Sequence, residues 1–191
     1  MFKHIIQNEE DLHALHTPPS RGAANKVITT IDEHCQSFIA KSPMLFLATS
    51  NSEGKCDNSP RGDHAGFVHI IDEHYLVIPE RPGNRRLDSL SNILSNPQVG
   101  LLFIIPGLGE TLRINGKATI IQDKDILDKM AINGKTPLLG IAVKAEECFI
   151  HCPNSFNRSS LWKPEEWEVK ENLPAPAKII SAHIEMNTEK L

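Results

Sequence analysis

The stretch VGLLFIIPGLGETLRINGKATI, residues 99–120, decides the fold class of this chain. Its first part, 99–105, is a continuous apolar run, which is typical of a strand covered on both faces. A turn at Pro106 and Gly107 follows. From Leu112 to Ile120, apolar and polar residues alternate with the period of two that marks a strand with one buried face. The stretch therefore predicts two strands joined by a short connection.

The flanking sequence predicts four more strands, at 44–49, 66–71, 75–78 and 138–151. Helical spacing begins at Val27, with a capping box of Thr30 and Glu33, and ends before Pro43. Further helices are predicted from Asn84 to about residue 96, from Asp123 to about residue 134, and around 179–185. No repeat and no strand–helix–strand alternation supports a parallel sheet. The pattern predicts a mainly β fold, an antiparallel barrel or meander with peripheral helices.

Length and composition predict one ordinary globular domain. The chain has 191 residues, 40% of them hydrophobic and 23% charged, with a net charge of -4. This charge and the ten aromatic residues argue against nucleic-acid binding. The longest apolar stretch is too short to span a membrane, the first residues lack the apolar core of a signal peptide, and cysteines are few. We expect a cytoplasmic protein with reduced thiols and no membrane partner.

The arginines are clustered, although the chain as a whole is slightly acidic. Four of the seven lie within residues 61–86, and three of those lie within residues 81–86. A helix beginning at Asn84 would put Arg85 and Arg86 in its first turn, where positive charges oppose the helix dipole unless an anion lies beside them. This arrangement is typical of a phosphate pocket. The alternative, which the spacing alone favours, is that Arg81, Arg85 and Arg86 are solvated or pair with Glu80 and Asp88.

Two further places could contribute to a ligand site. Residues 59–63 supply the Ser59 hydroxyl and the Arg61 guanidinium in a predicted turn, but a surface turn with an Arg61–Asp63 pair explains them better. Arg113 lies on the polar face of its strand and could point into a ligand groove, although such a residue is more often simply exposed to solvent.

Metal and nucleophile chemistry have little support in the sequence. Cys148 and Cys152 would share one face of a strand and His151 would point the other way, which makes a poor zinc site. The spacing of His64, His69 and His74 aligns them on neither a helix nor a strand. We predict no metal, and no catalytic residue is identified.

Five ordered motifs within about residues 25–165 resemble the FMN-binding split-barrel superfamily of pyridoxamine 5'-phosphate oxidase. They are SPMLFLAT (42–49), SPRGD with GF (59–67), IPERPGNRRLD (78–88), PG with ETLRING (106–116), and HCP with RS and LW (151–162). The chain is most similar to an uncharacterised branch of that superfamily.

The resemblance implies a six-stranded antiparallel split barrel over 25–165, an N-terminal helix or arm over 1–24, and a C-terminal tail over 166–191. It implies a homodimer that holds FMN at its interface. Arg61, Arg85 and Arg86, with the helix start at Asn84, would hold the phosphate and ribityl chain, and the backbone of Ile78 and Pro79 would lie along the isoalloxazine. Arg113, Arg158 and Trp162 would approach from a neighbouring strand or from the partner subunit. The full expected set is Ser59, Arg61, Gly62, Asp63, Ile78, Pro79, Gly83, Asn84, Arg85, Arg86, Arg113, Arg158 and Trp162.

The resemblance implies an FMN-dependent oxidoreductase, either an oxidase or a flavin reductase, with unknown substrate. In such enzymes the flavin carries out the redox step, and the protein supplies binding and electrostatics. The alternative is a binding or sensing protein that holds FMN or another phosphorylated ligand without turnover. Haem or deazaflavin binding is a third reading, which rests on superfamily breadth alone.

Overall fold

A single antiparallel sheet of seven strands forms the centre of the computed structural model, which describes residues 1–188. The order of the strands in the sheet is β2-β1-β5-β6-β7-β4-β3, and every pairing is antiparallel. This confirms the predicted fold class, with seven strands where six were expected. The strands are β1 (Met44–Ser50), β2 (Cys56–Gly62), β3 (His69–Ile70), β4 (Tyr75–Pro79), β5 (Gln98–Ile104), β6 (Thr111–Ile121) and β7 (Gly140–His151).

The additional strand is β2, which the sequence predicted to be a turn at residues 59–63. It lies at one end of the sheet and pairs with β1 alone, and its residues alternate between exposed and half-buried. Pro60 cannot donate a backbone hydrogen bond, but an edge strand tolerates proline where the missing donor would face away from the sheet. This edge strand is polar and lacks the apolar alternation from which strands are predicted.

The first part of the chain contains five helices in addition to the strands. The last of them continues as a 3-10 turn over Asp128–Met130. The helices are α1 (Glu9–Ala14), α2 (Arg21–Ala24), α3 (Glu33–Lys41), α4 (Asp88–Ser95) and α5 (Lys124–Leu127).

The predicted starts of two helices are wrong. α3 begins six residues after Val27, because Ile28 instead exchanges backbone hydrogen bonds with Cys148 of β7. Its N-cap is Asp32 rather than Thr30, and the Asp32 carboxylate accepts from the Cys35 N–H at 2.8 Å. This hydrogen bond is the main cause that lowers the pKa of Asp32.

α4 begins at Asp88 and not at Asn84. The Asn84 side chain accepts a hydrogen bond from the Arg86 N–H at 3.0 Å, and Arg85 and Leu87 adopt left-handed backbone conformations with φ of 62° and 60°. Such residues cannot belong to a right-handed helix. Arg85 and Arg86 therefore precede the helix, and the predicted opposition between their charges and its dipole does not apply.

The core lies between the inner face of the sheet and two helices. The strand residues Leu45, Phe103 and Ile114 are fully buried. α3 contributes Ile39 to the same core and α4 contributes Ile93. Burying a side chain of this size stabilises the fold by about 1.5–3 kcal/mol. The segment 99–120, which forms the two predicted strands, thus supplies several of the buried residues of the core.

β6 and β7 bend around one glycine. Their register shifts between Asn115 and Gly116, and a Cβ atom on Gly116 would lie 2.0 Å from the Lys144 carbonyl oxygen. Only glycine allows the two backbones to approach so closely.

The chain divides into two compact units, Met1–Pro153 and Asn154–Leu191. The second contains α6 (Asn154–Ser159), two 3-10 turns and α7 (Pro176–Thr188), and it confirms the helix predicted around 179–185. Within it the rings of Phe156 and Trp162 stack at 5.6 Å. Residues 189–191 of the predicted tail lie outside the described residues. The domain limits expected at residues 24 and 165 remain predictions.

Within residues 1–188, no helix is both long and apolar enough to cross a membrane.

Candidate functional site

β2, at one end of the sheet, meets the region after β4, near the other end, through side chains. β2 and β4 are separated by four strands in the sheet order, yet Arg61 of β2 forms an ion pair with Glu80, the residue directly after β4. Arg81 pairs in the same way with Asp63, at 2.8 Å between Nε and Oδ2. None of these four side chains is more than 25% exposed. The sheet therefore curves into a barrel, and we call the gap between β2 and β4 the seam.

A large pocket opens along the seam. Its volume is about 1130 Å³, at the upper end of the size of small-molecule sites. Residues from three segments line it, namely 57–63 on β2, 79–90 after β4, and 132–139 before β7, together with Phe67. We call this cavity the seam pocket.

Two cations of the seam pocket have no partner within residues 1–188. Arg61 and Arg81 are neutralised by Glu80 and Asp63, whereas Arg85 and Lys135 line the same pocket without any side-chain hydrogen bond or ion pair to the described residues. Positive charge in a partly apolar cavity favours the binding of an anion. The pocket can therefore hold a phosphate or a carboxylate.

Lys135 is held on a tight hairpin. Ile132 and Lys135 exchange backbone hydrogen bonds around Asn133 and Gly134, whose φ angles are 49° and 73°. Both angles are positive, as in a type I′ turn, and the dipeptide Asn-Gly is the strongest sequence signal for that turn. Lys135 is not among the residues expected from the sequence, although the Asn-Gly signal directly before it locates this turn.

The hairpin is fixed at its base by Asp128. The Thr136 hydroxyl donates to the Asp128 carboxylate at 2.7 Å, and the Lys124 ammonium pairs with the same group. The Lys124 ammonium is the main cause that lowers the pKa of Asp128, and Thr136 acts in the same direction.

A chain of hydrogen bonds runs along the β2 wall of the seam pocket. Arg61 Nε donates to Ser59 Oγ at 3.2 Å, Ser59 Oγ lies 3.0 Å from Ser89 Oγ, and Ser89 Oγ donates to Asp57 Oδ2 at 2.6 Å. Ser89 is buried in the first turn of α4, so these hydrogen bonds also attach the helix to β2.

Residues 31–152 match the model of the pyridoxamine 5'-phosphate oxidase family, which is more than half of the chain. The chain belongs to this family. A search among curated proteins gives no significant match.

Solved structures of other proteins have a similar fold. HupZ from Group A Streptococcus is 17% identical with a TM-score of 0.51, over 63% of this chain and 93% of that one. A candidate pyridoxamine 5'-phosphate oxidase from Lactobacillus delbrueckii is 19% identical with a TM-score of 0.50, over 65% of this chain and 98% of that one. At such identities the likeness shows the fold alone.

The seam pocket of this family member brings together eight of the thirteen residues expected from the sequence. The side chain of Ile78 instead lies fully buried in the core. Arg86 is exposed and pairs with Asp88 at 2.7 Å, and this contact raises its pKa. The eight are Ser59, Arg61, Gly62, Asp63, Pro79, Gly83, Asn84 and Arg85.

Arg113 lies in a second depression, on the opposite face of the β1–β2 pair. Successive residues of β2 alternate between the faces, so that Ser59 and Arg61 face the seam pocket and Asn58 faces the other side. The second depression has a volume of about 430 Å³, and Arg113 there stacks over the ring of Phe149. We call it the outer-face depression.

Arg158 and Trp162 belong to the second unit. Arg158 lies in the last turn of α6, and Trp162 stacks on Phe156 shortly after that helix.

Cys148 and Cys152 do not share one face of a strand as expected, because β7 ends at His151 and Cys152 follows it. Cys148 is buried in the core, whereas Cys152 is exposed. Across residues 1–188, no three His, Cys, Asp or Glu side chains are grouped so that they could hold a metal ion.

The Cys35 thiol is also buried, and both its hydrogen bond with Cys148 and its burial raise its pKa.

Proposed function

We propose that the protein is a homodimeric FMN-binding flavoprotein that acts as an oxidoreductase. The observation that carries this proposal is the pair of free cations, Arg85 and Lys135, in one seam pocket of about 1130 Å³. Membership of the pyridoxamine 5'-phosphate oxidase family supports it independently.

The residues of the seam pocket fit the chemistry of FMN. A phosphate needs cationic donors, and Arg85 and Lys135 can supply them without breaking an existing ion pair. A flat ring system needs an apolar wall, which Pro79, Leu87 and Leu139 supply together with the strongly exposed Leu138. The proposed contacts from this pocket are Ser59, Arg61, Gly62, Asp63, Pro79, Gly83, Asn84 and Arg85, with Arg86 beside it and the backbone of Ile78.

FMN, when bound, supplies hydride or electron transfer. The chain's own side chains bind the anionic end of the ligand, orient it along the apolar wall and reduce the access of water. No acid or base from the protein is required for this role, since the flavin carries the redox step.

We further propose that a second copy of the chain completes the site through its outer face. Arg113 and the seam pocket lie on opposite sides of the β1–β2 pair, so one ligand does not reach both within one chain. The outer-face depression is lined by half-buried apolar residues such as Phe46 and Leu102, which favour burial against another surface. Arg113 is a proposed contact toward FMN from this outer face, and Arg158 and Trp162 of the second unit are further proposed contacts.

Spectroscopy of the purified protein tests FMN binding. We expect the visible absorption of oxidised flavin, either as isolated or after addition of micromolar FMN, and extraction should release FMN. A colourless protein that takes up no FMN contradicts the proposal. Anaerobic incubation with reduced nicotinamides or amine donors then separates the two functions: bleaching and reoxidation indicate an oxidoreductase, and their absence with all donors indicates binding or sensing.

The dimer is tested with Leu102→Asp, which places a charge in the outer-face depression. We expect size-exclusion chromatography to show a dimer for the wild type and a monomer with weaker FMN binding for the variant. Leu94→Asp is the matched control, because Leu94 is 78% exposed on α4. A Leu102→Asp protein that remains dimeric contradicts the proposed interface.

A further inference from the structure

The hydrogen-bond chain on the β2 wall has a single possible direction. An ionised Asp57 carboxylate only accepts, so the one hydroxyl proton of Ser89 goes to Asp57. Ser89 Oγ must then accept from Ser59, because its own proton is used. Ser59 Oγ in turn accepts from Arg61 Nε, which can only donate. The order of donors is Arg61, Ser59, Ser89, Asp57.

This order fixes the orientation of the Arg61 guanidinium from two sides. Its Nε–H is committed to the serine chain, and Nη1 is committed to Glu80 on the other wall of the seam. A guanidinium has five N–H donors in a planar fork. The three that remain lie in a plane set by Ser59 and Glu80, and Arg61 lines the pocket.

We propose that Asp57 is a positioning residue for the ligand of the seam pocket, acting on Arg61 through Ser89 and Ser59. This inference rests on the proposed FMN site for its functional consequence. Without an acceptor at position 57, the Ser89 proton can turn toward Ser59, and the lone pair that holds Arg61 Nε–H is no longer fixed. The free donors of Arg61 then lose their defined direction.

The first test needs no ligand. In ¹⁵N-resolved NMR spectra of the free protein, the Nε–H signal of Arg61, assigned by its loss in Arg61→Lys, should be protected from exchange with water. We expect Asp57→Ala and Ser59→Ala to remove this protection, and Asp57→Asn to keep it because its amide oxygen can still accept from Ser89. The Nε–H of Arg81, bonded to Asp63 at 2.8 Å, is the internal control that should not change. An unchanged Arg61 signal in Asp57→Ala overturns the inference.

The second test is FMN affinity in a double-mutant cycle. Asp57→Ala should weaken FMN binding by about 2- to 12-fold, which corresponds to one net hydrogen bond of about 0.5–1.5 kcal/mol. In an Arg61→Ala background the same change should have less than about a twofold effect, since the group that Asp57 positions is gone. Asp57→Asn should restore most of the affinity. Equal effects in both backgrounds overturn the inference.

Matched variants keep the two proposals distinguishable. Asp88 lines the same pocket as Asp57 and lies next to Ser89 in the first turn of α4, but it is outside the hydrogen-bond chain. Asp88→Asn should therefore leave the Arg61 signal unchanged. If the wild type binds no FMN but Asp57→Ala still removes protection at Arg61, the proposed function fails and the positioning role stands. If Asp57→Ala does not fold, Ser59→Ala breaks the chain one link closer to Arg61 and carries the same expectations.

Discussion

Arg85 provides the sharpest test of the anion site, because its guanidinium has no partner within residues 1–188 that its removal would leave unsatisfied. We expect Arg85→Ala to change the free energy of unfolding by less than about 0.5 kcal/mol, as at other surface positions without special contacts. Its effect should fall on the ligand. A charge-assisted hydrogen bond contributes about 1.5–3 kcal/mol, and Arg85 is exposed, so the lower end applies and the FMN dissociation constant should rise about tenfold.

Arg86 is the matched control for Arg85, because it is adjacent in sequence but already paired with Asp88 at 2.7 Å. Arg86→Ala should weaken FMN binding by less than about threefold, since its charge is largely neutralised within the chain. Asp88→Ala should do the opposite and strengthen binding, because it frees Arg86 and removes a negative charge from the pocket wall.

The assay is titration of FMN, followed by quenching of flavin fluorescence, with riboflavin measured in parallel. Riboflavin lacks the phosphate, so its affinity should be the same for the wild type and Arg85→Ala. The FMN affinity should also fall with rising ionic strength, because exposed charges are screened within about 8 Å at physiological salt. Wild-type FMN affinity in Arg85→Ala, or an equal loss for riboflavin, refutes the assignment of Arg85 to the phosphate.

Two further predictions concern the fold. Gly116→Ala should lower the free energy of unfolding, measured in urea, by about 3 kcal/mol or more, because its Cβ would lie 2.0 Å from the Lys144 carbonyl oxygen. Gly83→Ala is the control: a Cβ there has no atom within 4 Å, so the free energy of unfolding should change by less than about 0.5 kcal/mol. Similar values for the two variants would contradict the close approach of β6 and β7. The carboxylate of Asp32 has a lowered pKa, so its stabilisation of α3 is complete above its ordinary pKa of 3.8 and is lost as the pH falls through the lower folded value. Asp32→Asn retains a good N-cap and should remove this pH dependence of stability from urea midpoints measured between about pH 4 and pH 2. Identical pH profiles for the wild type and the variant would exclude the role of the Asp32 charge.

The parts of the fold that the sequence predicted are those with strong hydrophobic patterns. The alternation in β6 and the apolar runs of β1 and β5 follow directly from burial on one or both faces. β2 has no such pattern, since it is an edge strand and its half-buried residues are polar. Its position depends on pairing with β1, which local sequence does not specify.

The candidate site was predictable in composition but not in connectivity. The clustering of arginines between 61 and 86 includes three residues that line the seam pocket, namely Arg61 on the β2 wall and Arg81 and Arg85 after β4. It did not show that Arg61 and Arg81 are neutralised by carboxylates from across the seam, because those pairs join residues 18 and 19 positions apart that meet only when the sheet curves. The left-handed conformation of Leu87, which delays α4, was likewise not predictable from the sequence, since leucine disfavours it.

The closure of the barrel by side chains has a consequence for how its entrance can vary. Neighbouring strands of the sheet are joined by ladders of backbone hydrogen bonds, which persist through most substitutions. The seam is crossed by two ion pairs, and a single substitution can remove, lengthen or reverse either of them. The width and charge of the opening can therefore change one residue at a time while the sheet stays intact. Chains with this architecture can diverge in the ligands they admit without first having to diverge in fold.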